Sequence, residues 1–155
     1  MRRPALLAAL AALALLPAAA FAEQPDAILG TWLTEEGDQG GRAHVKVRQQ
    51  GAKFVGEIVS LEEPNFPPEG PRPGQPKVDL ENPDPKLRER PIVGLRILVG
   101  FRYTDGKWTG GTVYDPANGK TYRGQMTLKG PDTLELRGYV GIPLFGRTST
   151  WKRVD

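Results

Sequence analysis

An Asp-Gly pair at 105–106 lies between two alternating stretches, and no other feature of the chain limits its fold so tightly. On the N-terminal side Leu95, Ile97, Val99, Phe101 and Tyr103 alternate with Arg96, Leu98, Gly100 and Arg102. That period of two marks a half-buried strand. A two-residue type I′ turn needs φ > 0 at both central positions, which Asp and Gly tolerate. With Asp105 and Gly106 as the turn, Tyr103 lies opposite Trp108, Phe101 opposite Gly110, Val99 opposite Thr112 and Ile97 opposite Tyr114. The other face pairs Leu98 with Val113, Gly100 with Gly111 and Arg96 with Asp115.

Two further turns extend the sheet. Asp115–Lys120 reads as an odd loop with Gly119 left-handed, keeping Tyr114 opposite Tyr122, Thr112 opposite Gly124 and Gly110 opposite Met126. Lys129-Gly130-Pro131-Asp132 reads as a second odd loop, with Leu128 opposite Leu134 and Met126 opposite Leu136. One apolar face then crosses four strands: Ile97, Val99, Phe101, Tyr103, Trp108, Tyr114, Tyr122, Met126, Leu128, Leu134 and Leu136. Arg96, Arg102, Thr109, Arg123 and Arg137 take the opposite face. Gly110, Gly124 and Gly138 interrupt the apolar face. Such glycines relieve twist or mark bulges, or they leave room for a guest beside the aromatics.

Four more strands are expected near 30–34, 43–49, 53–61 and 147–153, making eight. Between the third and fourth, residues 62–91 hold nine of the fifteen prolines. Proline lacks the ladder N–H, so this is a connection and not sheet interior. Within it, Asn82 or Asp84 would cap a short helical turn that Pro91 ends. The segment is long enough to fold over one end as a lid. Short strands in meander order with one apolar face predict an all-β, antiparallel, eight-stranded up-and-down barrel carrying a long proline-rich loop. Closure removes both sheet edges, and eight strands enclose a space filled by side chains or by one small ligand.

The first 22 residues read as a signal peptide. Arg2 and Arg3 precede the apolar run Leu6–Leu16, and Ala20-Phe21-Ala22 is a cleavage site with Glu23 after it. The expected mature chain, 23–155, is a single domain, periplasmic or secreted, and soluble. The apolar run is too short to span a bilayer. Losing Arg2 and Arg3 leaves 19 basic residues against 18 acidic ones, which gives no support to a nucleic-acid or anionic-membrane role. There is no cysteine, so disulfides, a lipid anchor on the cleavage site and thiol chemistry are all excluded.

Raw material for catalysis is scarce. His44 is the single histidine and falls on the polar phase of its strand, and Ser60 and Ser149 are the only serines. A nucleophile–base triad or a zinc set is not to be expected, and no cofactor is implied. Asp79, Glu81 and Asp84 lack the spacing of an EF-hand loop, and a solvated loop accounts for them better than a calcium site. Arg88, Arg90, Arg96 and Arg102 either solvate the surface or gather at the barrel mouth to take the charged head of an amphiphile; the first is the simpler account.

Gly30-Thr31-Trp32 resembles the Gly-x-Trp motif on the first strand of lipocalins. In those proteins an Arg of the last strand packs across the Trp, and Arg153 or Arg147 stands where it would serve for Trp32. A more specific resemblance is carried by Asp79-x-x-Asn82-Pro83-Asp84, Leu87-Arg88-x-Arg90-Pro91-Ile92-x-Gly94-Leu95 and Gly110-Gly111-x-x-Tyr114-Asp115-Pro116. Asn118-Gly119-Lys120-x-Tyr122, Arg137-Gly138-Tyr139, Phe145-Gly146-Arg147-Thr148 and Trp151 complete it. From about Gly30 to Arg153 the chain is similar to the exported bacterial family catalogued as domain of unknown function 2147. The resemblance implies a calycin-like or lipocalin-like barrel of unassigned function and transfers no catalytic residue.

Three functional classes follow. A binding module would hold a small apolar or amphipathic molecule among Phe101, Tyr103, Trp108, Tyr114, Tyr122 and Met126. A structural or interaction protein of the envelope would have a filled barrel and meet an unspecified protein partner through the proline-rich loop or the Ile142–Phe145 tip. An enzyme is the least supported.

Overall fold

The computed structural model describes residues 24–37 and 41–155; the signal-peptide reading falls outside them. The strands are β1 (Gly30–Leu33), β2 (Ala43–Gln50), β3 (Lys53–Leu61), β4 (Arg96–Thr104), β5 (Lys107–Asp115), β6 (Lys120–Leu128), β7 (Thr133–Tyr139) and β8 (Arg147–Arg153). Each pairs antiparallel with its neighbour in sequence, and β8 returns to β1, so the sheet closes as an up-and-down barrel.

This topology sorts the connections between two ends. The short β2–β3, β4–β5 and β6–β7 turns share one end. The β1–β2, β3–β4, β5–β6 and β7–β8 loops share the other, the loop end. A single 3₁₀ turn, Pro25–Ile28, plugs the first end. The Trp32 indole donates to the carbonyl of Ile28 at 2.9 Å, the Trp108 indole donates to Pro25 at 3.1 Å, and Ile28 is wholly buried. Arg153 lies with its guanidinium carbon 4.2 Å from the Trp32 ring centroid, and its two terminal nitrogens donate to Leu29 and Ala27 at 2.6 Å. One cation therefore holds the entering chain against the first strand.

The seam is short. β1 meets β8 only through Trp32↔Arg153 and Leu33↔Lys152. Beyond those pairs, Val154 donates to the Thr31 carbonyl, and the Asp155 carboxylate accepts from the Thr31 amide and hydroxyl and from Lys46.

Asp105 (φ 50°) and Gly106 (φ 78°) form the expected left-handed turn, and Tyr103 faces Trp108. Leu98↔Val113 and Val99↔Thr112 also pair as the turn dictates. The faces do not follow the expected alternation, however. Gly100 and Gly110 both take positive φ (79° and 73°), and each shifts the phase of its strand. Leu98 and Phe101 therefore both point inward, while Val99 is 44% exposed. Arg96 bonds Gln50 at 3.2 Å instead of pairing with Asp115, whose carboxylate turns into its own loop to accept from Ala117 and Asn118.

The β5–β6 register also departs from expectation. The Pro116–Gly119 loop is even, although Gly119 is left-handed as expected (φ 69°), and a bulge falls between Trp108 and Gly111. Tyr114 pairs with Thr121, Val113 with Tyr122, Gly111 with Gly124 and Trp108 with Met126. The β6–β7 hairpin has the expected Leu128↔Leu134 and Met126↔Leu136 pairs.

Candidate functional site

Of the six residues read as ligand-binding, Phe101, Trp108 and Met126 are completely buried inside the barrel. Tyr103 is half-buried, its ring 5.0 Å from that of Trp108, and Phe54 meets Trp108 edge-on at 6.3 Å. Tyr122 stands on the inward phase near the loop end, its hydroxyl accepting from Asn118 at 3.1 Å. Tyr114 does not share the interior. The shifted register turns it to the outer face, where its hydroxyl meets the 62–94 connection.

The inward glycines decide what the interior can hold. A methyl built on Gly124 would stand 2.5 Å from Cζ of Phe101, and one on Gly111 would strike the same ring. A methyl on Gly56 would meet Leu98 at 2.7 Å. The room these glycines make is thus occupied by the protein's own Phe101 and Leu98. Such contacts fill a barrel of this size with side chains. Gly110 is instead a bulge residue whose missing side chain opens onto empty space on the outer wall.

At the loop end the polar residues of 79–90 form one satisfied network. Asp79 is fully buried, and its carboxylate accepts from Tyr114 (2.6 Å), Asn82 (2.8 Å) and the Arg90 Nε (2.9 Å). Arg88 donates to the Asn82 carbonyl, and Asp84 caps the 3₁₀ turn Pro85–Leu87 by accepting from the Lys86 amide. Burial, then the bond to Asp79, pushes the Tyr114 hydroxyl up to about 12. A methyl on Gly119 would collide with the Glu81 carbonyl, so this segment lies tight against the β5–β6 loop. The network latches the proline-rich connection to the barrel; Asp79 is consumed by that role, not offered to an ion. Among the described residues no group of three or more His, Asp or Glu converges on a common point.

The arginines weighed as a cluster do not gather. Arg88 and Arg90 serve the latch, Arg96 bonds Gln50, and Arg102 is exposed on the wall. His44 meets Ser60 at 3.1 Å on the outer face, with no carboxylate bonded to the ring.

The β7–β8 connection is the most apolar exposed feature. Val140, Ile142, Leu144 and Phe145 are 73%, 52%, 75% and 77% exposed. The loop nevertheless has a fixed shape. Arg137 donates to the carbonyls of Pro143 and Leu144 and to the Thr148 hydroxyl, and Pro143–Phe145 is a 3₁₀ turn. On the adjoining outer wall, Gly110, Gly111, Thr112, Arg123 and Tyr139 line a depression of about 400 Å³. A second, of about 310 Å³, lies beside the seam between Leu33–Glu36, Arg42, Thr150 and Lys152. Neither is lined by the interior aromatics. Sequence reasoning singled out the tip but missed the wall depression, because its walls come from three strands and its floor from an unforeseen bulge.

Residues 30–153 match the model of a family described as an uncharacterized protein conserved in bacteria, DUF2147. No curated protein matches the chain. Among solved structures the chain is similar to protein HP1028 from the human pathogen Helicobacter pylori, described as belonging to the lipocalin family. The two are 26% identical over 83% of each chain, with a TM-score of 0.70.

Proposed function

The chain belongs to the DUF2147 family, and on that premise we propose that it is a non-enzymatic binding protein of the bacterial envelope that takes an amphipathic molecule on the outside of its loop end. The lipocalin-like fold supports a small-ligand role at the level of fold alone. The observation that carries the reading is a contrast. The room left inside by Gly111 and Gly124 is taken up by the buried Phe101 ring that lies across them, while four large apolar side chains stand exposed on a loop pinned by Arg137. Contiguous exposed apolar surface on a rigid support is the usual mark of an interaction site. The fully buried Phe101, Trp108 and Met126 are better accounted for as core. The Arg2-Arg3 start, the apolar run and Ala20-Phe21-Ala22 support export, with cleavage before Glu23. A protein partner at the same tip is the second reading, favoured by the fixed shape of the loop.

A Phe145→Trp reporter tests it. Titration with a fatty acid or lysophospholipid monomer should shift the emission of the added tryptophan, and Leu144→Asp in that background should abolish the shift. The wild-type tryptophans, Trp32, Trp108 and Trp151, are buried and should stay silent. A response from them without one from the tip would place the ligand inside and overturn the proposal. No response from either would leave the protein-partner reading.

A further inference from the structure

A single cross-strand row runs over the outer wall below the apolar tip. Tyr139 pairs with Arg123, Arg123 with Thr112, and Thr112 with Val99, so four strands contribute one residue each. Three of these, with Gly110 and Gly111, line the depression of about 400 Å³. Gly110 is left-handed and has nothing within 4 Å of where a side chain would begin, so the floor is bare backbone at that point.

The polar groups of this row are unspent. Arg48 pairs with Glu57, Arg90 with Asp79, Arg137 with the tip carbonyls and Arg153 with Leu29 and Ala27. Among the described residues the Arg123 guanidinium has no hydrogen bond or ion pair, and neither the Thr112 nor the Tyr139 hydroxyl has a hydrogen-bond partner. No acid lines the depression; Glu135, on the outer phase of β7, is drawn to Lys129 at 3.5 Å. The apolar tip begins at Val140, the residue after Tyr139, so an unpartnered cation and exposed apolar surface adjoin.

We propose that this depression is the head-group subsite of the amphipathic ligand, taking a carboxylate or phosphate on Arg123 while the tail lies along Val140–Phe145. It rests on the outer-surface reading above and narrows it to anionic amphiphiles. A guanidinium offers a planar fork matched to both anions, and the two hydroxyls supply further donors. Tyr139, between Arg123 and the tip, gives the carbon next to the head an apolar wall.

The test uses the Phe145→Trp protein with three ligands of equal tail length: laurate, dodecyl phosphate and dodecanol. Both anions should bind more tightly than the alcohol. Arg123→Gln should weaken them about tenfold, as loss of a charge-assisted contact does, and bring them level with the alcohol. Arg123→Lys should fall between, and Arg102→Gln, which removes an equal charge elsewhere on the wall, should change nothing. The ratio of laurate to dodecyl phosphate affinity tells which head is preferred. Circular dichroism checks that each variant is folded. If Arg123→Gln keeps the preference, or Arg102→Gln loses as much, the subsite is wrong. If the wild-type tip binds all three equally, the subsite falls while outer-surface binding stands. If it binds none, the outer-surface reading falls and takes the subsite with it.

Discussion

Gly124 and Gly138 lie directly opposite one another on β6 and β7, both on the inward face and neither with positive φ. Alanine should nevertheless have opposite effects at the two. With no strain on the backbone, Gly→Ala by itself stabilises by about 0.4–1 kcal/mol, because the unfolded chain loses freedom. At Gly138 the new methyl would find its nearest neighbours, Val113 Cγ1 and Tyr122 Cβ, at 3.5 and 3.6 Å, which is ordinary contact. Gly138→Ala should therefore gain that amount. At Gly124 it would stand 2.5 and 2.9 Å from Cζ and Cε1 of Phe101, well inside the roughly 3.5–4.0 Å optimum. The ring lies across both Gly124 and its cross-strand partner Gly111, so a methyl on Gly124 would push up the end of a ring that is already seated against the wall along its length. Overpacking of this kind costs about 1–3 kcal/mol, leaving Gly124→Ala a net loss of about 1–2 kcal/mol. Urea denaturation read by circular dichroism measures both. Phe101→Leu should relieve the clash, so the double variant Phe101→Leu/Gly124→Ala should be more stable than the sum of its parts predicts, by about 1 kcal/mol. Two alanine variants of equal stability, or no coupling to residue 101, would show that Phe101 does not fill the barrel and would reopen its interior as a ligand site.

At the β4–β5 turn nothing lies near Gly106, so any penalty there is pure backbone: Gly106→Val should lose about 1–2 kcal/mol and Gly106→Asn less, again by urea denaturation. Tyr114→Phe leaves a buried oxygen of Asp79 short of a donor and should cost about 1–3 kcal/mol. Because the folded protein raises the Tyr114 hydroxyl to about 12, its contribution is whole below the unfolded value near ~10 and is lost as pH climbs through the folded one. A spectrophotometric tyrosine titration should accordingly lose its latest step in Tyr114→Phe. Arg153→Lys cannot reach Leu29, Ala27 and the Trp32 face together, and the thermal midpoint should fall by an amount equivalent to about 1–3 kcal/mol.

The eight strands and the β4–β5 and β6–β7 pairings were readable because each rests on a local signal, a turn residue beside an alternating run. The inward face was less readable. Ile97, Leu98 and Val99 are all aliphatic, so either phase of β4 supplies a plausible core, and nothing local announces that Gly100 and Gly110 both turn left-handed. The β5–β6 register failed for a related reason: Gly119 was correctly placed at positive φ, but the loop length around it was not fixed by that fact. Tyr114 was misplaced in consequence. Its true partner, Asp79, lies 35 residues away in the proline-rich connection, and the sequence placed that acid in a solvated loop when it is in fact fully buried. The Asp79-x-x-Asn82 interval was the available clue, since a short polar side chain three residues on can bond back to the first.

The two-rung join between β1 and β8 bears on how the barrel assembles. Every other ladder links strands adjacent in the chain, and all but β3–β4, which spans the proline-rich connection, form by closing loops of modest length. Thr31 and Asp155 are 124 residues apart, and their contact must await nearly the whole meander. The ladder should zip outward from the central hairpins and seal last at Trp32↔Arg153. By the same token it should breathe there first, with the amides of Leu33 and Val154 exchanging hydrogen faster than those of β6 and β7. Each such opening turns a closed cylinder briefly into a sheet with two free margins, the state in which one copy can pair with another.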